Sequence, residues 1–196
     1  MGVNEILDNR PLIVAVVGPN GAGKSTFYHA YLALSGLHFI NADKIALELA
    51  VDAYTAAKLA DVIRRQLVEQ RDSFIFETVF SDPVGDKIAF LQEAERAGYC
   101  VVLFFIGISS RIVSEERVAM RVLKGGHDVP TRKIFERYDR VMANLQRSLH
   151  QLSNVRVYDN SDLRDPYRLV ATRENGQSIQ LHGVTPDWLS PLLPSY

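Results

Sequence analysis

Nine residues near the amino terminus, Gly18-Pro19-Asn20-Gly21-Ala22-Gly23-Lys24-Ser25-Thr26, constrain this chain more than any others. They spell G-x-x-x-x-G-K-[ST], the phosphate-binding loop. The loop follows an apolar run, Leu12 to Val17, and opens a stretch from Ser25 to Leu34 that reads as a helix. Strand, glycine loop, helix is the setting in which the motif works. Its glycines let successive N–H groups turn onto phosphate oxygens, and the helix N-terminus adds the positive end of its dipole. The pattern implies ATP held by residues 18–26. Lys24 is expected to reach the β- and γ-phosphates, and the Ser25 hydroxyl to ligate Mg²⁺.

The chain has 196 residues and is 47% hydrophobic, enough for one α/β domain with a core of its own. A net charge of −1 gives no global field for nucleic acid or a membrane surface, and neither is expected as a partner. No apolar run reaches the roughly 18 residues of a membrane span. Met1 to Arg10 carries Glu5 and Asp8 and lacks an apolar segment, so no secretory signal is read and a cytoplasmic location is expected. The single cysteine, Cys100, excludes an internal disulfide framework and a cysteine-rich metal site. It begins the apolar run to Ile106 and reads as a buried structural thiol.

Short apolar runs alternate with helical stretches. Strands are expected at Leu12–Val17, His38–Asn41, Ser73–Glu77, Cys100–Gly107 and Val155–Asp159. Helices are expected at Thr26–Leu34, Asp43–Ala50, Tyr54–Arg71, Pro83–Ala97, Ser114–Lys124 and Arg132–Leu152. The last carries Ile134, Tyr138, Val141, Leu145 and Leu149 at spacings of three and four. Such alternation implies a three-layer α/β fold of the P-loop kinase type, a parallel sheet of about five strands with helices on both faces. Beyond Asp159, residues 169–173 and 177–181 flank Glu174-Asn175-Gly176 and read as a C-terminal β-hairpin with an Asn-Gly turn. The organisation is one domain over 1–196, with a lid region at 114–132 and a hairpin appendage at 167–183. The tail from Pro186, with three prolines and Trp188, reads as an irregular cap.

A phosphate loop alone serves GTPases, transport and motor ATPases, and small-molecule kinases. The apolar strands here end Phe76-Glu77-Thr78 and Ile106-Gly107, and neither gives the Asp-Glu pair of a Walker B strand. Leu34-Ser35-Gly36-Leu37 echoes a transporter signature but lies just after the first helix, where Gly36 reads as a helix C-cap. A kinase needs a base beside the acceptor hydroxyl, groups that bind the acceptor, and arginines over the transferring phosphoryl. Asp43, at the carboxyl end of the second strand, can be that base or can cap the next helix. Glu77 ends the third strand at the same edge, as a working carboxylate or an exposed strand end. Arg117 and Arg121 stand four apart on one helical face before Gly125-Gly126-His127. That reads as a lid that closes over phosphates, or as a solvated basic face paired with Glu115 and Glu116; Arg137 and Arg140 can join the cluster.

Gly18–Thr26, Asn41-Ala42-Asp43, Glu77-Thr78-Val79-Phe80-Ser81, and Arg117–Pro130 followed by Ile134, Arg137-Tyr138 and Asn144-Leu145 together resemble the zeta toxin family. The resemblance runs from about Ile13 to Ser161 and is nearest to the compact bacterial branch labelled "predicted ABC-type ATPase". It implies an ATP- and Mg²⁺-dependent kinase acting on a sugar hydroxyl of a nucleotide sugar such as UDP-N-acetylglucosamine, and a small antitoxin protein as partner. Matched motif by motif, Asp43 is the general base, Lys24 the phosphate lysine, and Arg117 and Arg121 the catalytic lid arginines. Asn41, Asp43, Glu77, Thr78 and Ser81 then bind the acceptor, with Glu77 the acceptor-site glutamate. Val155–Ser161 takes the place where related kinases hold adenine, which puts Asn160 on the nucleotide. A non-toxic metabolite kinase and an NTP-binding switch are the competing readings.

Overall fold

The computed structural model describes residues 3–123, 125 and 129–194. A short helix α1 (Val3–Leu7) leads into β1 (Leu12–Val17), whose six residues are all buried. Then follow α2 (Lys24–Tyr31), β2 (His38–Asn41), α3 (Ala42–Leu49), α4 (Ala53–Glu69), β3 (Phe74–Thr78), α5 (Asp86–Arg96) and β4 (Cys100–Gly107). The second half holds α6 (Arg111–Leu123), α7 (Thr131–Gln151), β5 (Val155–Asp159), β6 (Arg168–Arg173) and β7 (Gln180–Leu181). All strands join one sheet in the order β2-β3-β1-β4-β5-β6-β7. The first five run parallel, and β6 and β7 are antiparallel.

Side chains alternate across the pleat, so each strand feeds two cores. Ile13, Ala15 and Val17 of β1, with Val101, Leu103 and Phe105 of β4, face Leu91 of α5 and Val141, Leu145 and Leu149 of α7. Leu12, Val14 and Val16, with Val102, Phe104 and Ile106, face Phe27 and Tyr28 of α2. Burial on both faces is why these strands are apolar throughout. Each of the larger apolar side chains contributes roughly 1.5–3 kcal/mol on removal from water.

The C-terminal hairpin is an extension of this sheet rather than an appendage beside it, because β6 pairs along β5 from Val155↔Arg173 to Asp159↔Arg168. Asn175 and Gly176 both take the positive φ of an Asn-Gly turn, 51° and 73°. The second strand is shorter than expected, with only Gln180 and Leu181 paired. Cys100 is half-buried rather than buried, and burial raises its thiol pKa, which keeps it protonated. Among the described residues no helix is long and apolar enough to cross a membrane. Lys124, Gly126, His127 and Asp128, and with them most of the Gly-Gly-His motif, lie outside the described residues.

Candidate active site

Because β1 lies between β3 and β4, its carboxyl end opens at the middle of the sheet edge. The phosphate loop leaves from there. Gly18 has φ 147°, and a Cβ on it would stand 2.2 Å from the Ile106 carbonyl oxygen of β4. Gly23, with φ 93°, has Asn160 Nδ2 and the Tyr167 hydroxyl within 2.9 Å of where its Cβ would be. Only glycine lets the loop lie this close to its walls. The walls also bind it directly. Ser114 Oγ donates to the Asn20 carbonyl at 2.6 Å, Asn160 Nδ2 to that of Ala22 at 2.8 Å, and Tyr167 Oη to that of Gly23 at 3.0 Å.

Lys24 is buried and donates through Nζ to the Pro19 carbonyl across the loop at 2.9 Å. Burial pushes its ammonium pKa down; Glu77 and Asp43 pull it back up, and Arg121 and Arg137 push it further down. Four charged groups from four other elements thus act on Lys24. Parallel register explains part of this. Asn41 of β2 pairs with Glu77 of β3, and Val16 and Val17 of β1 pair with Glu77 and Thr78. The last residues of three strands are side by side, next to the loop.

Glu77 is tied on two sides. The Ser25 hydroxyl lies 3.0 Å from both of its carboxylate oxygens, and Asn41 Nδ2 donates to Oε2 at 2.9 Å. Asn41 also caps α3, its Oδ1 accepting from the backbone N–H groups of Asp43 at 2.8 Å and Lys44 at 3.1 Å. Helix capping therefore falls to Asn41, and the Asp43 side chain is not used for it. Thr78, the last residue of β3, and Ser81, on the loop after it, are both half-buried. That loop is clamped by α7: Asn144 Nδ2 donates to the Phe80 and Asp82 carbonyls, both at 2.9 Å, and Phe80 holds a φ of 65°.

Arg117 and Arg121 part company. Arg121 lies within electrostatic reach of Lys24, with Arg137 from α7. Arg117 instead donates to the Ser161 carbonyl at 3.1 Å, with Tyr167 and Asp159 near it. Four residues along a helix advance about 6 Å, so a shared face does not mean a shared partner. Glu115, the candidate partner on a solvated face, is bonded by Thr131 Oγ1 at 2.6 Å. Thr26, read as a nucleotide contact, hydrogen-bonds Tyr167. Ser161 is held by Asp159, which also accepts from Trp188 Nε1 and Arg168 Nη2, each at 3.1 Å.

Ser114, Tyr167, Asn144 and Trp188 were not legible as site residues. Ser114 reads as a helix start, yet α6 begins at Arg111, which turns Ser114 inward onto the loop. The others act across 62 to 144 residues of sequence or in a proline-rich tail, and no local spacing announces them.

The described residues suit a nucleoside triphosphate with its metal. Exposed hydroxyl and carboxylate oxygens at Ser25 and Glu77 are hard donors of the kind magnesium takes. Asn20 and Asn160 each keep a buried amide oxygen with no partner among the described residues. A wide groove of about 510 Å³ lined by Arg10, Leu37, His38, Arg71 and Asp72 lies at the opposite edge, where β1, β2 and β3 begin.

Sheet order, loop and converging charges define a P-loop protein of the kinase type. The zeta toxin family model matches residues 49–168, more than half of the chain, and the chain belongs to that family. The match begins after the phosphate loop and Asp43. The fold is shared with a chain of the AvrRxo1-ORF1:AvrRxo1-ORF2 complex solved with ATP, at 19% identity and a TM-score of 0.70 over 91% of this chain and 64% of that one. It is also shared with a chain of the PezAT chromosomal toxin–antitoxin system of Streptococcus pneumoniae, at 16% identity and a TM-score of 0.63 over 83% of this chain and 72% of that one. This chain therefore spans less than two thirds of the AvrRxo1 chain. No curated protein matches it.

Proposed function

We propose that this protein is an ATP-dependent kinase that transfers the γ-phosphate to a hydroxyl of a small molecule. The observation that carries the reading is the convergence of Asp43, Glu77, Arg121 and Arg137 on the buried Lys24. A switch that only binds and hydrolyses NTP has no need of an acceptor-side carboxylate. Family membership and the ATP in the AvrRxo1 complex support the same choice. By the family resemblance, the acceptor is a nucleotide sugar such as UDP-N-acetylglucosamine. The fold shared with a chain of the PezAT toxin–antitoxin system supports a small antitoxin as partner, and with it a toxin's role.

In this mechanism the backbone N–H groups of residues 20–24 and the Lys24 ammonium hold the β- and γ-phosphates. Magnesium bound with ATP at Ser25 supplies neutralisation of the phosphate charge. The acceptor hydroxyl, held by Thr78, Ser81 and Asn41, approaches the γ-phosphorus in line. The new P–O bond forms as the bond to the β,γ-bridging oxygen breaks, and the hydroxyl proton passes to the Asp43 carboxylate. Arg121 and Arg137 stabilise the charge on the transferring group. Arg117 and Asn160 hold the nucleoside end.

Incubation of the protein with labelled ATP, Mg²⁺ and a panel of nucleotide sugars and nucleosides tests this. The expected outcome is labelled acceptor, lost in Asp43→Asn with ATP binding retained. Free phosphate as the sole labelled product across the panel would overturn the kinase reading. An acceptor outside the nucleotide sugars would overturn only its finer part.

A further inference from the structure

The sequence holds no Walker B pair, yet a P-loop kinase needs a carboxylate on the metal side of its phosphates. We infer that Glu77 is that carboxylate: it shares the magnesium site with Ser25, and Asn41 holds it in place. The family resemblance assigns Glu77 to the acceptor instead, so the two roles can be told apart. The inference rests on the ATP-binding reading above.

The geometry argues as follows. Both Glu77 oxygens lie 3.0 Å from Ser25 Oγ. A hydroxyl has one proton to give and two lone pairs to offer. With its proton directed to Glu77, the Ser25 oxygen presents its lone pairs to a cation at the phosphates. The same contact brings the carboxylate within reach of that cation's remaining coordination sites, which magnesium commonly fills with water. Those waters need acceptors, and Glu77 has two oxygens to offer. Asn41 Nδ2, 2.9 Å from Oε2, fixes the carboxylate plane from the far side. Because Asn41 Oδ1 also receives the Asp43 and Lys44 N–H groups, one amide couples the metal-side carboxylate to the helix that bears Asp43. The register that sets Asn41 beside Glu77 is a backbone feature and does not depend on ligand.

Glu77 also acts on Lys24. Without magnesium, a carboxylate beside the triphosphate repels it. With magnesium, the repulsion becomes attraction. Glu77 therefore makes ATP binding magnesium-dependent, a property separate from turnover.

The test is ATP affinity by isothermal titration calorimetry, in Mg²⁺ and in EDTA, for wild type, Glu77→Gln and Asn41→Ala. The wild type is expected to bind ATP more tightly with Mg²⁺. In Glu77→Gln that gain should fall by roughly 10- to 100-fold, the loss of one charge-assisted contact. Its affinity in EDTA should equal or exceed the wild type's, which also shows that the variant is folded. Asn41→Ala should lose part of the gain. Electron paramagnetic resonance of Mn²⁺ with ATP gives a second readout, and Glu77→Gln should bind the ion more weakly. Full retention of the Mg²⁺ gain in Glu77→Gln, with a raised KM for the acceptor, would overturn the inference and return Glu77 to the acceptor. Absence of ATP binding by the wild type would overturn the underlying reading instead.

Discussion

Lys24 carries opposing demands at the scale of one residue. Burial disfavours its charge, and Glu77 and Asp43 restore part of it. Its pKa lies below the usual lysine value of 10.5, so on raising the pH the folded protein releases this proton before the unfolded chain does. Between the two pKa values, rising pH therefore favours the fold; below both, the contribution is constant. ATP binding responds with the opposite sign, because a neutral amine no longer attracts phosphate. We expect the ATP dissociation constant to rise between neutral pH and pH 10 while the Lys24-linked part of the stability does not fall. Titrations of ATP at several pH values, with Tm recorded beside each, check this. A flat affinity across that range would mean Lys24 stays charged throughout. The two arginines of α6 make a second prediction. Arg121→Ala should lower kcat by the 10³ to 10⁵ typical of arginines that stabilise phosphoryl transfer. Arg117→Ala should chiefly raise the KM for ATP, by about tenfold for one charged hydrogen bond. Equal effects on kcat would put both over the phosphates, as their spacing in the sequence suggests.

Helix α7 shows at the scale of elements how a site can rest on residues that never touch a ligand. One face packs the core through Val141, Leu145 and Leu149; along its length Arg137 acts electrostatically on Lys24 and Asn144 clamps the loop after β3. Asn144 is 1% exposed, and its amide satisfies two carbonyls while Phe80 holds a left-handed backbone conformation. Asn144→Ala leaves the buried Phe80 carbonyl and the half-buried Asp82 carbonyl without this donor, a loss of about 2–3 kcal/mol. The KM for the acceptor should rise with it, while the ATP dissociation constant stays near the wild-type value. Equal weakening of both ligands would make Asn144 a general stabiliser only. The strands and most helices were legible in sequence because period and apolar content follow from burial on two faces. So was the phosphate loop, whose spacing is local. The partition of Arg117 from Arg121, the tie from Ser25 to Glu77 and the Asn144 clamp were not, since each depends on where distant elements come to rest.

The segment after β5 completes the molecule rather than decorating it. β6 continues the sheet, and Leu189 and Trp188 join the larger of the two cores. The Trp188 ring lies against Gly107, where a Cβ would come within 2.2 Å of it, and 6.0 Å from the Phe105 ring. Its N–H reaches Asp159, the residue that orients Ser161, which in turn accepts from Arg117. The tail is thereby linked to the proposed nucleoside site through three consecutive contacts. Truncating the ring and removing its N–H should separate these two roles. Trp188→Ala removes half-buried ring surface and should cost roughly 2–3 kcal/mol, below the ~3–5 of a fully buried tryptophan. Trp188→Phe keeps most of that surface but leaves Asp159 one donor short, so its stability loss should be smaller while ATP affinity falls. Urea unfolding and ATP titration of both variants decide the matter. If Trp188→Ala unfolds at the wild-type midpoint, the tail is no part of the core; if Trp188→Phe binds ATP as the wild type does, Arg168 and Ser161 are enough to hold Asp159.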